Sequence, residues 1–259
     1  MTIFQTSNCT CSIDTARGCV TSLTVGAQSL LAAESALFRF CYRREDSTTC
    51  VVSSTQGQLC SKVSGENILT LSYSDFPDDA QGISVTLTLN SADEALQASV
   101  SASNRTPHMI EWIEVLPLIL PALKGEGGSL KGEVLYPFNE GAIVDSMAMR
   151  ESSWLTDHNP QYPSMGCYPI FPNMVFVQMM AYLYDGDHGR EALYFGAHDV
   201  KRGVKGIDFK QVGDGVEMIF RYYCGVDYGA DYEAGFPLVI RNVVGGWEAA
   251  AEVYRTWFE

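Results

Sequence analysis

The sequence predicts an all-β protein: a large antiparallel two-sheet supersandwich, followed by one C-terminal α-helix. Apolar and hydroxyl residues alternate strictly in its clearest segment, and turn-forming residues separate many such segments at short intervals. The length of 259 residues is within the range that all-β sandwiches reach as a single domain. A chain of this length buries enough apolar surface to fold without a disulfide or a structural metal.

Strand periodicity is clearest in Ile83–Leu89, where apolar and hydroxyl side chains alternate without a break. This period of two is typical of a strand with one buried and one exposed face. Similar patterns predict seven further strands, at Leu37–Arg43, Asn67–Tyr73, Ala98–Ala102, Met109–Val115, Met174–Tyr184, Ala192–Ala197 and Val216–Tyr223. Turn-forming clusters such as Pro77–Asp79 and Asp185–Asp187 lie between them. Many short strands separated in this way predict a sandwich or a barrel.

A helical pattern occurs at the C-terminus, after Gly245 and Gly246. Apolar residues recur there with the spacing i, i+3, i+4 and i+7 of an amphipathic helix, at Trp247, Ala250, Ala251, Tyr254 and Phe258. The pattern reaches Glu259 without the glycine or proline that often ends a helix. We therefore expect that the polypeptide from which this chain derives continued beyond the helix.

Composition and charge exclude several functional classes. The chain has 31 acidic and 17 basic residues, a formal net charge of -14, and such a surface repels nucleic-acid phosphates and anionic lipids. No apolar run reaches the ~18–20 residues that a transmembrane helix needs. Met1–Gln5 has neither the basic start nor the following apolar stretch of a secretory signal. We expect a cytoplasmic protein with no nucleic acid and no membrane as partner.

Eight cysteines raise the question of disulfides or zinc, because most of them lie in the first quarter of the chain. Cys9 and Cys11 are separated by one residue, whereas paired zinc ligands usually have two to four residues between them. The four histidines are not at ligand spacing to a cysteine. We expect reduced thiols that fill strand positions, and neither a metal nor another cofactor.

Aromatic and polar side chains are densest between residues 154 and 199. A sugar site needs aromatic rings, on which the C–H faces of a pyranose stack, beside short polar groups that hydrogen-bond its hydroxyls. In this region Pro163, Pro169 and Pro172 hold the preceding residues extended, so that the loop loses little entropy on binding. The candidate ligand-binding residues are Trp154, His158, Tyr162, His198 and Asp199.

Each candidate also has a structural interpretation. The aromatic residues of this region could instead cover one open end of the sandwich. His198 and Asp199 directly follow the predicted strand Ala192–Ala197, and functional side chains often emerge at strand ends. There His198 could contact a sugar or act as an acid or base. Alternatively, Asp199 could form a turn by accepting hydrogen bonds from nearby backbone.

The sequence contains no complete catalytic motif. The G-x-S-x-G elbow, the G-x-G-x-x-G fingerprint and the P-loop are absent. Cys167 and Cys224 have no identifiable histidine partner. Glycoside hydrolysis requires two carboxylates roughly 5–10 Å apart across a cleft, and the spacing of the acidic residues singles out no such pair. We therefore predict no catalytic residue within this chain.

Several short segments follow one another in an order that a known family shares. They are Ile13–Asp14, Gly18–Leu23, Ala36–Phe38, Asn104–Thr106, Ile113–Pro117, Tyr136–Gly141, Tyr162–Met165, Gln178–Tyr182, Leu193–Asp199, Lys205–Gly206, Gly246–Ala250 and Tyr254–Trp257. Together they resemble the N-terminal domain of a family of bacterial glycoside-hydrolase-like proteins, known mainly as a domain of unknown function. The resemblance covers nearly the whole chain, whereas each segment alone is short.

The resemblance implies a galactose-mutarotase-like β-supersandwich over residues 1–242. It also implies that residues 243–259 form a helix that leads into a catalytic (β/α)-barrel. That barrel is missing from this chain, so the acid and the nucleophile of the family would lie outside these residues. The implied partners are carbohydrate and the missing barrel.

Three functions are compatible with these observations. The first is a non-catalytic carbohydrate-associated domain of a glycoside hydrolase, which supports the barrel or binds glycan beside it. The second is a mutarotase-type sugar epimerase, in which a histidine acid and a carboxylate base act on the anomeric hydroxyl and the ring oxygen. The candidate acids are His108, His158 and His198, and the candidate bases are Glu140, Asp157 and Asp199. The spaced histidine motifs of true mutarotases are not found.

The third function is a purely structural domain that braces the barrel and binds no ligand. It predicts an exposed apolar patch where the barrel docks, because large apolar patches on a protein surface mark interaction sites. The candidate docking residues are Trp247, Tyr254 and Trp257.

Overall fold

The computed structural model describes residues 1–6, 8–92, 94–125, 131–136, 141–148, 178–201 and 203–259. Strands β1 to β7 are Thr2–Gln5, Thr10–Asp14, Cys19–Val25, Gln28–Ser29, Ser35–Ala36, Phe38–Arg43 and Thr49–Ser53. Strands β8 to β15 are Gln58–Ser64, Ile68–Ser74, Ile83–Ala92, Ala95–Asn104, Met109–Val115, Leu118–Pro121, Gly132–Tyr136 and Ala142–Val144. Strands β16 to β21 are Met179–Gly186, Gly189–Ala197, Lys205–Val212, Gly215–Val226, Asp231–Glu233 and Leu238–Val244, and helix α1 is Gly246–Phe258.

The described strands form three antiparallel sheets. The five-stranded sheet has the order β1-β2-β3-β4, and β5 also pairs with β3. The ten-stranded sheet has the order β15-β14-β16-β17-β21-β11-β10-β9-β8, and β20 pairs with β11. The six-stranded sheet has the order β13-β19-β12-β6-β7, and β18 pairs with β19. Strands from the N-terminal and C-terminal halves of the chain therefore pair in the middle of the two larger sheets.

The hydrophobic core lies between the ten-stranded and the six-stranded sheets. Buried and half-buried residues alternate along most of β10, as its apolar and hydroxyl pattern predicts. Phe38 of β6 meets Tyr73 of β9 edge to face, with ring centroids 5.5 Å apart. Such aromatic pairs across the two sheets add to the stability that buried apolar area provides. The predicted class, mostly antiparallel β with one C-terminal helix and a galactose-mutarotase-like fold, is confirmed.

The predicted strands agree well with the observed ones where the structure describes them. Met109–Val115 is β12 with the predicted bounds. Ile83–Leu89 belongs to the longer β10, because its pairing with β11 continues to Ala92. The strand predicted at Met174–Tyr184 is observed from Met179 onward, and residues 174–177 lie outside the described part.

Helix α1 packs on the outer face of the ten-stranded sheet. This contact explains why β16 and β17 are buried on both faces: Tyr194 and Val239 of the sheet lie against Ala250 of the helix. The helix follows Gly245, whose φ of 120° is a conformation that residues with a side chain rarely adopt. The domain boundary predicted at residue 243 falls inside β21, and α1 is packed directly on the sandwich.

The seven cysteines in the described ranges have free thiols, and Cys167 lies outside those ranges. Cys9 and Cys11 fill buried positions, where burial raises the pKa of the Cys9 thiol to about 12. At neutral pH such thiols stay protonated and unreactive. Among the described helices, none is both long and apolar enough to cross a membrane.

Candidate functional site

His198 lies against helix α1, directly after the end of β17. Tyr194, on the same face of β17, extends across Gly196, where a side chain would overlap its ring. Its hydroxyl thereby comes within 3.3 Å of His198 Nε2. On the other side the indole of Trp257 stacks on the imidazole, with ring centroids 4.6 Å apart. Burial lowers the pKa of His198 to about 4, so the ring is neutral at pH 7.

Asp199 faces the opposite side of the chain, toward the core. Its carboxylate accepts hydrogen bonds from Lys205 Nζ at 2.6 Å and from the Lys201 backbone at 2.8 Å, and both side chains of the ion pair are buried. Lys205 Nζ also lies 4.9 Å from the centroid of the Phe236 ring. Burial by itself raises the pKa of Asp199, but the hydrogen bond from Lys205 and the other hydrogen bonds outweigh it, so the pKa is lowered. His198 and Asp199 therefore do not face a common site.

The other three candidate ligand-binding residues, Trp154, His158 and Tyr162, lie outside the described residues. The same holds for Glu140 and Asp157, two of the possible bases of an epimerase. Their arrangement stays a prediction from the sequence.

The apolar residues of α1 form two stripes. Ala250, Val253 and Trp257 face the ten-stranded sheet and the groove beside it. Trp247 and Phe258 are 46% and 73% exposed, and they lie on one side of the helix because eleven residues make about three turns. The apolar pattern that predicted one amphipathic stripe thus includes side chains that face the sheet and side chains that face solvent.

Tyr254 connects the two stripes. It is half-buried against the sheet, stacks on Phe258 with ring centroids 6.1 Å apart and contacts Trp257 at 5.5 Å. Of the three docking candidates, Trp247 is the exposed one, whereas Tyr254 and Trp257 are half-buried. We call Trp247, Tyr254 and Phe258 the outward stripe.

A groove of about 1090 Å³ lies on the outer face of the ten-stranded sheet, beside α1. Strands β11 and β21 form its floor, α1 forms one wall, and the β1–β2 loop and the β3–β4 turn contribute another. His198 and Trp257 line it together with Gln5, Asn8, Gln97 and Arg241. We call it the α1 groove. It brings together residues from both ends of the chain, which sequence spacing does not reveal.

A row of charged side chains crosses the outer face of the six-stranded sheet. Glu114 of β12 is directly opposite Arg39 of β6 on one side and Arg221 of β19 on the other. It accepts hydrogen bonds from Arg39 Nε at 2.6 Å and from Arg221 Nε at 2.5 Å. Arg39 also donates two hydrogen bonds to Glu217, at 2.9 and 3.0 Å. The side chains of this charged row thus link the neighbouring strands β6, β12 and β19.

The charged row is buried, which keeps its charges strongly coupled. Burial by itself lowers the pKa of Arg221, but the attraction of Glu114 outweighs it and the pKa is raised. The guanidinium of Arg221 lies 4.9 Å from the centroid of the Trp112 ring, and no described residue hydrogen-bonds its Nη1. The charged row was not predicted from the sequence. The pattern that could have indicated it is a charged residue between two apolar neighbours in each strand, as in Phe38-Arg39-Phe40.

His108 forms a separate cluster at the edge of the sandwich. Its Nε2 lies 3.3 Å from Asp79, and its ring stacks on Tyr42 with centroids 5.3 Å apart. Its buried Nδ1 has no hydrogen-bond partner in the described part of the chain. Asp79 also accepts hydrogen bonds from Arg44 and Tyr42, and the hydrogen bond from Arg44 is the main reason why its pKa is well below the usual range. Asp79 was not among the predicted bases.

No group of three or more His, Cys, Asp or Glu residues among the described ones could hold a metal ion.

Solved structures share the galactose-mutarotase-like fold. The α-N-acetylgalactosaminidase NagBb from Bifidobacterium bifidum, in its GalNAc complex, matches with a TM-score of 0.66 and 12% identity over 99% of this chain and 38% of that chain. A galactose mutarotase-like protein from Lactobacillus casei matches with a TM-score of 0.53 and 10% identity over 94% of this chain and 100% of that chain. At these identities the likeness shows the fold alone.

The two matches differ in how much of each solved chain is covered. This chain spans 38% of the NagBb chain, so the larger part of that enzyme has no counterpart here. The Slr1438 protein from Synechocystis matches over 96% of its own length, with a TM-score of 0.55 and 10% identity. No protein-family model matches the sequence, and no curated protein matches it.

Proposed function

We propose that this chain is the supersandwich domain of a larger carbohydrate-active enzyme, and that it supports the catalytic domain through the outward stripe of α1. The observation that carries the proposal is the NagBb match, in which nearly all of this chain corresponds to 38% of a glycosidase chain. In such an arrangement the sandwich is an accessory domain, and the catalytic residues belong to the remainder of the enzyme.

The outward stripe supports this role because two of its large apolar side chains are largely exposed to solvent. Trp247 is 46% exposed and Phe258 is 73% exposed. Exposed apolar patches of this kind are typical of interaction surfaces. The occupant we propose is a catalytic domain of the same polypeptide, which α1 would then join to the sandwich.

The positions of His198 and Asp199 favour an accessory role over a sugar epimerase that uses this pair. The imidazole of His198 is neutral and stacked on Trp257, and Asp199 is paired with Lys205 inside the core. An epimerase needs an acid and a base on opposite sides of one sugar ring. His198 and Asp199 face different sides of the chain and do not supply such a pair.

The test begins with the reading frame of the gene downstream of the codon for Glu259. If it encodes a further domain, the full-length protein and residues 1–259 alone are compared by amide hydrogen exchange. We expect the amides of α1 to exchange more slowly in the full-length protein, since docking covers the outward stripe.

Substitutions then locate the contact. Trp247→Ser and Phe258→Ser in the full-length protein should restore fast exchange in α1, whereas Val51→Ser, at an equally exposed position on β7, should not. A gene that ends at Glu259 with no carbohydrate-active enzyme encoded beside it overturns the proposal. Equal exchange of α1 in the two proteins overturns the docking surface.

A further inference from the structure

The α1 groove has a rigid floor and a wall fixed to it. Strand β21 pairs with β17 and β11, and β11 pairs with β10 on its other side. Ser91 donates a hydrogen bond to the carbonyl of Gln5 at 2.8 Å, and this bond ties the β1 end of the wall to the ten-stranded sheet. Preformed grooves bind ligands at a low entropic cost.

The lining of the groove combines apolar side chains with uncharged side chains that form hydrogen bonds. Ala95 and Val239 provide small apolar surface on the floor, and Trp257 provides an aromatic edge. The amides of Gln97 and Asn8 supply paired donors and acceptors, which is the chemistry that recognises vicinal hydroxyl groups.

The charged side chains of the groove are compensated. Arg241 pairs with Glu94, and Glu252 pairs with Arg255. His198 carries no charge at neutral pH, because burial lowers its pKa to about 4. His188, which also lines the groove, lies beside the carboxylate of Glu191, with 3.3 Å between Nδ1 and Oε1. The described lining therefore offers a carboxylate or phosphate ligand no cation that lacks an acidic neighbour. One donor is unused: Arg241 Nε is buried and has no hydrogen-bond partner among the described residues.

Two other kinds of occupant fit the groove poorly. A peptide that adds a strand needs an unpaired strand edge, and both floor strands are paired on both sides. A nucleic acid is repelled by the net charge of -14 and needs cations that the groove does not provide. A neutral polyhydroxylated ligand could hydrogen-bond the amides and pack its C–H groups on the apolar surface.

We propose that the α1 groove is a binding site for a neutral saccharide segment. Its volume of about 1090 Å³ is at the upper end of small-molecule sites, which suits several sugar rings better than one. The choice of a saccharide over other neutral ligands rests on the proposed function. The position of the site and its preference for an uncharged ligand rest on the residues that line the groove. The groove would hold glycan beside the catalytic domain.

The test uses ¹⁵N-labelled protein and four probes: GalNAc, cellohexaose, a neutral galactan oligosaccharide and hexagalacturonic acid. We expect at least one neutral oligosaccharide to shift the indole N–H resonance of Trp257 and the side-chain amide resonance of Gln97 in a saturable titration. The acidic hexamer should bind more weakly than the neutral probes.

Matched variants assign the binding to the groove. Trp257→Ala and Gln97→Ala should each weaken binding about tenfold, a loss that groups central to a binding site commonly cause. Trp247→Ala, on the same helix but outside the groove, should leave binding unchanged. If Trp257→Ala impairs folding, Gln97→Ala retains the test, because it removes only the amide of a half-buried residue.

Three results overturn the inference: no saturable shift with any neutral probe, equal affinity of the Gln97 variant and the original protein, or preferential binding of the acidic hexamer. A failure of the proposed function has a different signature. In that case the gene encodes no catalytic domain, or α1 shows no added protection in the full-length protein, while the saccharide titration of the isolated domain is unaffected.

Discussion

The imidazole of His198 lies nearly parallel to the indole of Trp257, with 15° between the ring planes. Because burial lowers the pKa of His198 from 6.5 to about 4, the unfolded chain takes up a proton at a higher pH than the folded chain does. The contribution of His198 to stability should therefore be complete above pH 6.5 and be lost as the pH falls from 6.5 to about 4. An NMR titration of the imidazole and the pH dependence of the unfolding free energy measure this.

The stack with Trp257 provides the control for this prediction. Trp257→Ala should raise the pKa of His198 toward 6.5, because the imidazole gains access to water. It should also flatten the pH dependence of stability in this range. Trp247→Ala leaves the stack intact and should leave the pKa near 4. An unchanged pKa in the Trp257 variant would contradict the burial argument.

Removing one partner of the buried ion pair of Asp199 and Lys205 should strongly destabilise the protein. Asp199→Ala leaves the ammonium of Lys205 buried without its partner, and a cost of about 3–5 kcal/mol is expected for breaking such a pair. The double variant Asp199→Ala/Lys205→Met should cost less than the sum of the two single changes, because it removes both charges. Denaturant unfolding of the three variants measures the coupling. Additive losses would show that the two groups act independently.

Local patterns were enough to predict the central strands. Ile83–Leu89 combines period-two alternation with one buried face, and in such a strand the local signal and the tertiary environment agree. Strand β8, Gln58–Ser64, lacked the signal for a physical reason. It lies at the edge of the ten-stranded sheet and is exposed on nearly every residue, so burial imposes no alternation on it.

The candidate site was less predictable, because it depends on which faces meet in space. His198 and Asp199 are neighbours in the sequence, yet one faces α1 and the other the core. Gln5 and Trp257, at opposite ends of the chain, line the same groove. A sequence pattern reports the period of a strand or helix, but not the sheet order that brings distant residues together.

Breaking the charged row should cost more stability than breaking an exposed ion pair among the described residues. Glu114→Ala leaves Arg39 and Arg221 with fewer hydrogen bonds in a buried environment, and we expect a loss of about 3–5 kcal/mol. The matched control is Glu34→Ala, which breaks the exposed pair with Arg17 and should cost much less stability, because solvent screens that pair. Added salt should change the stability loss of Glu114→Ala little, because the row is largely buried. It should reduce the loss of Glu34→Ala, because salt screens exposed charges. Similar losses in the two variants would contradict a special role of the row.

Gly196 should be required for the position of Tyr194. A methyl group on Gly196 would overlap the Tyr194 ring, so Gly196→Ala must displace the tyrosine or shift β17. We expect a loss of about 1–3 kcal/mol from this overpacking, and a change in the His198 resonances because the Tyr194 hydroxyl moves away from Nε2. Gly235→Ala, where the methyl group would meet open space, should cost less than about 0.5 kcal/mol. If both alanine variants unfold at the same denaturant concentration as the original protein, the close approach of Tyr194 to Gly196 does not constrain this part of the fold.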